Sequence, residues 1–503
     1  MAIKRNAIYN LAGGTLPALV SLVVVPLMVR GLGSEGYGLY ALVLAIVGYF
    51  ALIDINATAG SVKFLAEYSA AKNSDGINQV FSLGFLIYLC IGLLGACAIY
   101  ALSSHLVVHV FSIDRNLTVL AQRCLEVAAI GFFFGQLQVY LQSVPQALLR
   151  YDITGRIEML FGSLLPLLAV ALLAAGYGLL EIIALRVAAS AVNCLLLWRS
   201  IRSLLPTLRM VRPRAALAGQ LFRFSAYSFL GRAATLTYQH ADKLLIGSLV
   251  GMKALAYYTV AANLANGLLG MTYRLASVVF PSTSMLAAKG QFDALRQLYF
   301  TASRYMLYLN GALLLLLAVF AKDLLLLWVG PDFAEHGSTI LALIALAQFF
   351  SSQTNVPSLL NDGLGHPQVT GGFAVTRAVV GLVAVYLLAS IHGAQGAALA
   401  HMLVSCLVTV VFLFYVHGRT VPYRLSEVMT HAYAVPIGVL TGVAAVTYGA
   451  SHMVGERPPL LAATAAVGAL LLVVLGVCLV AMPAEKQTLR SQWRALLARL
   501  RGA

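Results

Sequence analysis

Acidic residues are scarce in this chain: 18 Asp and Glu stand against 33 Lys and Arg in 503 residues. Charged residues of either sign make up only 10%, where a soluble domain carries about 25%. That shortage excludes a soluble globular protein. The six cysteines (Cys90, Cys97, Cys124, Cys194, Cys406 and Cys478) all fall in apolar runs and show no metal-ligand spacing. They read as small apolar residues of a packed interior. Long polar connections are missing as well. The longest lies at about 201–221, is basic, and carries Pro206 and Pro213; it reads as a linker lying on a membrane surface. No segment can hold a soluble catalytic domain. The expectation is therefore no enzyme, no cofactor and no metal site.

What the chain has instead is apolar runs, with 60% hydrophobic residues. A run of roughly 20 such residues crosses a bilayer as a helix. About fourteen spans are predicted, near 7–28, 38–60, 79–104, 120–146, 158–177, 180–200, 222–248, 254–279, 300–320, 336–356, 368–390, 395–416, 430–451 and 460–482. The predicted fold class is an all-α polytopic membrane protein. Gly13, Gly14 and Pro17 interrupt the first run, and no small-x-small site follows it, so it does not read as a cleaved signal peptide. An even number of spans puts both termini on one side. Every second connection is rich in Lys and Arg, while the alternate ones hold only Arg30, Arg115, Lys253, Lys322 and Arg457. Positive charge stays inside, so both termini are expected in the cytoplasm. The net charge of +15 then reports topology rather than nucleic-acid binding.

The chain also repeats itself. GLGSEGYGLYALVLA from Gly31 resembles SLVGMKALAYYTVAA from Ser248, pairing Gly33 with Gly251 and Tyr40 with Tyr258. AAKNSDGINQVF from Ala70 parallels AAKGQFDALRQLYF from Ala287, and VPQALLRYDITGR from Val144 parallels VPSLLNDGLGHPQ from Val356. Each copy holds six spans, so both should cross in the same sense about an axis along the membrane normal. The expected domains are a six-helix lobe at 1–215, a second at 216–425, an extra helix pair at 426–484 and a basic amphipathic cytoplasmic tail at 485–503.

Polar residues inside spans usually face a cavity or another helix. Ser225, Ser228, Arg232, Thr235, Gln239 and Asp242 share one face of the seventh span. Arg232 lies ~13 Å from the cytoplasmic entry at 1.5 Å per residue. The first span carries a weaker stripe through Asn6, Asn10 and Ser21. Such stripes line a cavity or form a seam between helices; the depth of Arg232 favours a cavity. Arg377, Arg274, Arg186 and Lys63 also fall in or near spans, against two acids, Asp54 and Asp242. A net positive cavity suits a phosphate or diphosphate, which Arg binds through paired hydrogen bonds. Snorkelling and structural ion pairing are the alternatives for each cation taken singly. Asp54 and Asp242 could bind a coupling H+ or Na+, or serve as salt-bridge partners. Gln138, Gln142 and Gln146 share a face of the fourth span, and Gln348, Ser352 and Asn355 one of the tenth. These amides could bind sugar hydroxyls or hold helices together. Pro17, Pro145, Pro281 and Pro357 are positioned to kink their helices.

The patterns NAIYNLAGGTLPALVSLVVVPLMVRGLGSEGYGLYALV and DINATAGSVKFLAEY resemble bacterial polysaccharide-unit flippases of the Wzx type. So do LLRYDITGR and HADKLLIGSLVGMKALAYYTVA. These flippases belong to the multidrug/oligosaccharidyl-lipid/polysaccharide exporter superfamily. The resemblance implies two six-helix lobes around a central cavity. It implies movement of an undecaprenyl-diphosphate-linked oligosaccharide from the inner to the outer leaflet of the bacterial inner membrane by alternating access. It also implies as partners that lipid-linked sugar, the surrounding lipids, and a polysaccharide polymerase with its chain-length machinery. The alternatives are a multidrug or cation antiporter of the same superfamily, a lipid II flippase, and a membrane glycosyltransferase or polymerase. The first span lacks the acid that cation exporters often carry there. Only Arg30 and Lys63 flank the first two helices, where lipid II flippases cluster arginines. A glycosyltransferase would need an outer-loop acidic site that these short connections do not offer.

Overall fold

The structure, a computed structural model, describes residues 2–54, 56–213, 215–277 and 279–453, together with residue 468. Among these residues there are helices and turns but no strands. The helices are α1 (Ala2–Phe50), α2 (Ala57–Ala70), α3 (Ser74–His105), α4 (Arg115–Ala147), α5 (Tyr151–Ala174), α6 (Leu179–Leu204), α7 (Ala215–Leu249) and α8 (Met252–Ala276). They continue with α9 (Val279–Ala288), α10 (Phe292–Val319), α11 (Ala321–Trp328), α12 (Pro331–Ser352), α13 (Asn355–Gly363), α14 (Pro367–Arg419), α15 (Leu425–Val428) and α16 (Ala434–Met453). Eight helical stretches among the described residues are long and apolar enough to cross a membrane. Helices are the natural choice there, because a helix satisfies its backbone groups without water.

Each of the first thirteen predicted spans falls on one of these helices. Span fourteen lies outside the described residues except for residue 468, and so does the tail at 485–503. Two helices each carry two spans. Gly33 (φ 72°, ψ 171°) turns the chain inside α1, and Gly393 (φ 60°, ψ −143°) does so inside α14. These backbone angles are open almost only to glycine.

Several spans break near one end, which hydropathy did not foretell. The second is helical to Phe50, passes a 3-10 turn (Ala51–Ile53), and restarts as α2. The eighth and tenth restart as α9 and α13, which carry Pro281 and Pro357 at their third positions. Proline lacks the N–H that a helix interior needs but fits the first turn, so the break falls just before it. Pro17 and Pro145 instead stay inside α1 and α4.

The repeat reappears in the backbone. Positive φ occurs at Gly33, Lys72, Leu149 and Gly176 in one copy. In the other copy it occurs at Gly251, Gly290, Gly365 and Gly393, between 216 and 218 residues later. Composition can mimic a Gly/Tyr pattern; it does not place four left-handed turns in register.

The chain forms two compact units. One comprises Met1–Gly267 and Gly371–Val404, the other Leu268–Thr370 and Ser405–Ala503. These units are a different division from the sequence halves at 215/216, because α7 and much of α8 and α14 pack with the first half. In the first unit Phe81, Tyr88, Leu137, Tyr140, Val144, Leu197 and Ile201 form a buried core. Tyr140 crosses α3 directly over Gly84, where any side chain would collide with its ring. Its hydroxyl donates to the Phe81 carbonyl at 2.8 Å. Small residues of this kind let membrane helices approach closely. Near one end of that core, Arg150 forks onto Asp152 at the start of α5, at 2.8 and 3.0 Å. That hydrogen-bonded carboxylate raises the Arg150 pKa above its ordinary value.

In the second unit, His417 Nδ1 donates to the Leu413 carbonyl at 2.8 Å, so Nε2 accepts from the buried Tyr299 hydroxyl, also at 2.8 Å. Tyr423 stacks on Tyr299 with ring centres 5.9 Å apart. Arg296 pairs with Glu427 at 2.9 Å.

The cysteines divide. Cys124 and Cys194 are buried, but Cys90 and Cys97 are exposed, and all described cysteines are free. In a membrane helix an exposed small apolar residue serves as well as a core one.

Candidate functional site: a buried acid between α7, α8 and α14

Asp242 sits 8% exposed near the end of α7. The turn at Gly251 (φ 110°) folds α8 back along α7 and brings Tyr258 beside it. The Tyr258 hydroxyl donates to Asp242 Oδ2 at 2.6 Å. The Lys243 backbone N–H donates to Oδ1 at 2.7 Å. Lys243 Nζ lies 3.7 Å from Oδ1 and donates to the Gln239 carbonyl at 2.7 Å. From α14, His401 places Nε2 3.5 Å from Asp242 Oδ2. That is ion-pair range without hydrogen-bond geometry, and the buried Nε2 has no hydrogen-bond partner. The imidazole meets the edge of Tyr238 at 5.5 Å and lies 6.4 Å from Tyr258. Thr237, Gly381, Leu382 and Val385 complete the small pocket around the pair.

The cluster sets an imidazole and an ammonium within 3.7 Å of one carboxylate.

The predicted site residues are distributed around this cluster as follows. Thr235 and Gln239 are exposed on α7, so its polar face runs from open surface to buried acid. Arg377 is half-buried on α14, one residue before Ala378 of the same pocket, and it interacts with Tyr238. The structure therefore brings Arg377, Thr235, Gln239 and Asp242 into one neighbourhood.

Others stand apart. Arg186 of α6 donates to the Tyr40 hydroxyl of α1 at 3.3 Å. Lys63 is exposed on α2, 3.9 Å from Glu67 and 5.3 Å over the Phe64 ring. Asp54 is fully buried at the break before α2. Its Oδ1 accepts from the Tyr88 hydroxyl at 2.7 Å and from the Asn56 N–H at 2.8 Å, so the acid pins the two pieces of that span. Gln142 is half-buried on α4. Asn355 opens α13, and the break at 353–354 separates it from Gln348 and Ser352 on α12. Its buried Nδ2 has no hydrogen-bond partner. The side chains of Asn10, Arg232 and Arg274 lie outside the described residues, although their backbones are helical.

Sequence reasoning missed His401, Tyr238 and Tyr258 as members of the cluster. Tyr258 had a signal, since it anchors the internal repeat. Its counterpart Tyr40 takes the hydrogen bond from Arg186, so each repeat-related tyrosine serves a charge.

The same end of this unit is tightly closed. Lys253 pairs with Glu35 at 3.2 Å. Ser112 donates from its N–H to the Gly247 carbonyl at 3.1 Å and from its hydroxyl to the Ser248 carbonyl at 2.7 Å. Gly38 lies directly against the Met252 carbonyl, with no room for a Cβ.

Comparisons with known proteins agree with this architecture. A putative O-antigen transporter of Shigella flexneri is 21% identical over 412 residues, covering 80% of this chain and 94% of the relative. The solved structure of the lipid II flippase MurJ, in an inward closed conformation, superimposes with a TM-score of 0.73. It has 13% identity and covers 94% of this chain and 98% of that one. A multidrug resistance MATE family transporter of the MOP superfamily, inward-facing, gives 0.66 at 16% identity, covering 84% and 96%. At such identities these structures speak for the fold. Membership rests on the family profile described as "Polysaccharide biosynthesis protein", which matches residues 27–337: the chain belongs to that family.

Proposed function

We propose that this protein flips an undecaprenyl-diphosphate-linked oligosaccharide from the inner to the outer leaflet of the bacterial inner membrane, for cell-surface polysaccharide synthesis. It is a transporter, not an enzyme. The observation that carries this reading is a family match over most of the spans, in a chain that buries Asp242 beside His401 and Lys243 between its helices. Both termini are cytoplasmic, and the two sequence halves act as lobes that alternate access. The closed end marked by Gly38 and Lys253 is the outer one. Arg377, with Arg232 and Arg274, neutralises the diphosphate. Thr235, Gln239, Gln142, Asn355 and Asn10 offer hydrogen bonds to sugar hydroxyls, and Arg186 and Lys63 add positive potential.

Asp242 and His401 take up the coupling ion. Lys243 already stands at 3.7 Å from the carboxylate and opposes a second cation there, so uptake of H+ or Na+ goes with displacement of Lys243. Protonation weakens the hold of Asp242 on Lys243 and Tyr258, which are part of the α7–α8 hairpin at the closed end. Asp54 serves as a second acid in the other half.

Purified protein in vesicles carrying a fluorescent polyprenyl-diphosphate oligosaccharide provides the test. Protein-dependent transfer of the sugar lipid between leaflets, without movement of a cationic dye, supports the flippase. Dye movement without sugar-lipid transfer assigns the chain to drug export instead.

A further inference from the structure

We propose that an acyl chain of a membrane phospholipid occupies an apolar cavity in the first compact unit and braces its closed end. The cavity measures about 420 Å³, toward the small end of the ~300–1,000 Å³ range of small-molecule sites. It has room for one hydrocarbon chain but not for a headgroup or a long polyprenyl tail.

Its lining excludes other occupants. Tyr49 and Ser248 are the only lining residues with a polar side chain. The Ser248 hydroxyl is already committed to the Leu245 carbonyl at 3.0 Å. A sugar, a phosphate or a cation would find only the Tyr49 hydroxyl and the Ser248 oxygen, too few partners to replace its water. Water would not fill it either, since apolar cavities stay dry. An empty void would forfeit the dispersion contacts of its walls. Hydrocarbon is the filler that restores them.

The mouth is continuous with a lipid-facing surface. Leu382 lines the cavity and is 36% exposed. It stands on a stripe of exposed apolar residues along α14: Val379, Val383, Tyr386 and Leu387. Spacings of three and four put these on one face of a membrane helix. The end of α3 widens into a π-helical turn, Leu106–Val110, both of whose end residues line the cavity. Such turns are rare and tend to occur at functional sites. Val110 is also exposed, so both lips of the mouth are apolar.

The position gives the chain a role. Phe50 comes from α1, Leu106 from the π turn, Leu245 from α7 and Leu382 from α14. A bound chain would touch all four and hold them together. Ala241 and Leu382 also border the pocket of Asp242 and His401. The lipid would seal that pocket from one side.

Photo-crosslinking tests this on the full-length protein in phosphatidylethanolamine/phosphatidylglycerol vesicles. The probe is a phospholipid bearing a diazirine midway along one acyl chain. Crosslinks should map to 106–111 and 241–248. Leu245→Trp fills the cavity, and labelling of these two segments should fall about tenfold, equivalent to ~1.4 kcal/mol of binding. Labelling of the 379–387 stripe should stay unchanged. Leu106→Ala widens the cavity and should raise labelling of 241–248, which keeps the test decisive if the tryptophan variant fails to fold. The proposal is overturned if the stripe is labelled but the two segments are not, or if labelling ignores both variants. Labelling by a photoactivatable polyprenyl diphosphate and not by the phospholipid would also overturn it, giving the cavity to the transported lipid.

Discussion

The Tyr258 hydroxyl holds Asp242 at 2.6 Å, in a chain with few acids to bury. His401 Nε2 stands 3.5 Å from the same carboxylate oxygen. An acid, an imidazole and a lysine share this space, so removal of one changes the charge balance of the others.

Replacing Asp242 with Asn should therefore uncouple transport from the proton gradient while leaving the protein folded. The amide keeps an acceptor for Tyr258 but cannot take a proton. In vesicles, sugar-lipid transfer by this variant should no longer respond to an imposed pH difference. A response equal to that of the unaltered protein would take Asp242 out of the coupling step.

Tyr258→Phe removes one hydrogen bond to the carboxylate. Inter-helix hydrogen bonds in membranes contribute about 0.6 kcal/mol on average, up to about 1.7. A loss of ~1 kcal/mol is expected in thermal unfolding, together with an altered pH profile of transport. A purely structural tyrosine would change the first and not the second.

The arginines separate by role. Arg377→Ala and Arg232→Ala should abolish export at normal protein levels, and Arg232→Lys should only weaken it, because lysine keeps the charge but loses the paired donors. Arg186→Ala should chiefly cost stability through the lost Tyr40 contact. Export assays in cells, normalised to membrane protein, would separate the two effects; full export with Arg377→Ala would count against a diphosphate contact there.

Closure of one end depends on glycine. Gly38→Val would force α1 and the start of α8 apart, because the Met252 carbonyl occupies the space of the new side chain. This variant should be trapped open at that end, detected as increased thiol labelling of Ser112→Cys in the same background. Gly33→Ala is a different case. Open space surrounds Gly33, so its cost is torsional, of order 1–3 kcal/mol for a backbone region that is essentially glycine's alone. Unfolding should register the loss without any change in thiol labelling.

Particular elements show how far the primary structure could be read. The spans were legible because roughly 20 apolar residues in a row have few other uses. The repeat was legible at Gly33 and Gly251, where a tight turn forced the same residue twice. The breaks before α2, α9 and α13 were not, because hydropathy continues through them. Asp242 was visible as an acid in an apolar run. His401 was not, since a single histidine on a helix 159 residues farther along carries no periodic signal.

Sequence alone determined that this chain is a helical membrane protein of many spans. Composition and charge placement are local quantities, and the bilayer acts on each segment separately. Only the tertiary structure decided which polar residues meet. Asp242, Tyr258 and His401 converge because α7 turns back into α8 and α14 packs against both. Asp54, also a buried aspartate, is instead used by Tyr88 and Asn56 to secure a broken helix. A side chain's chemistry is written in the sequence, but its partner is chosen by packing.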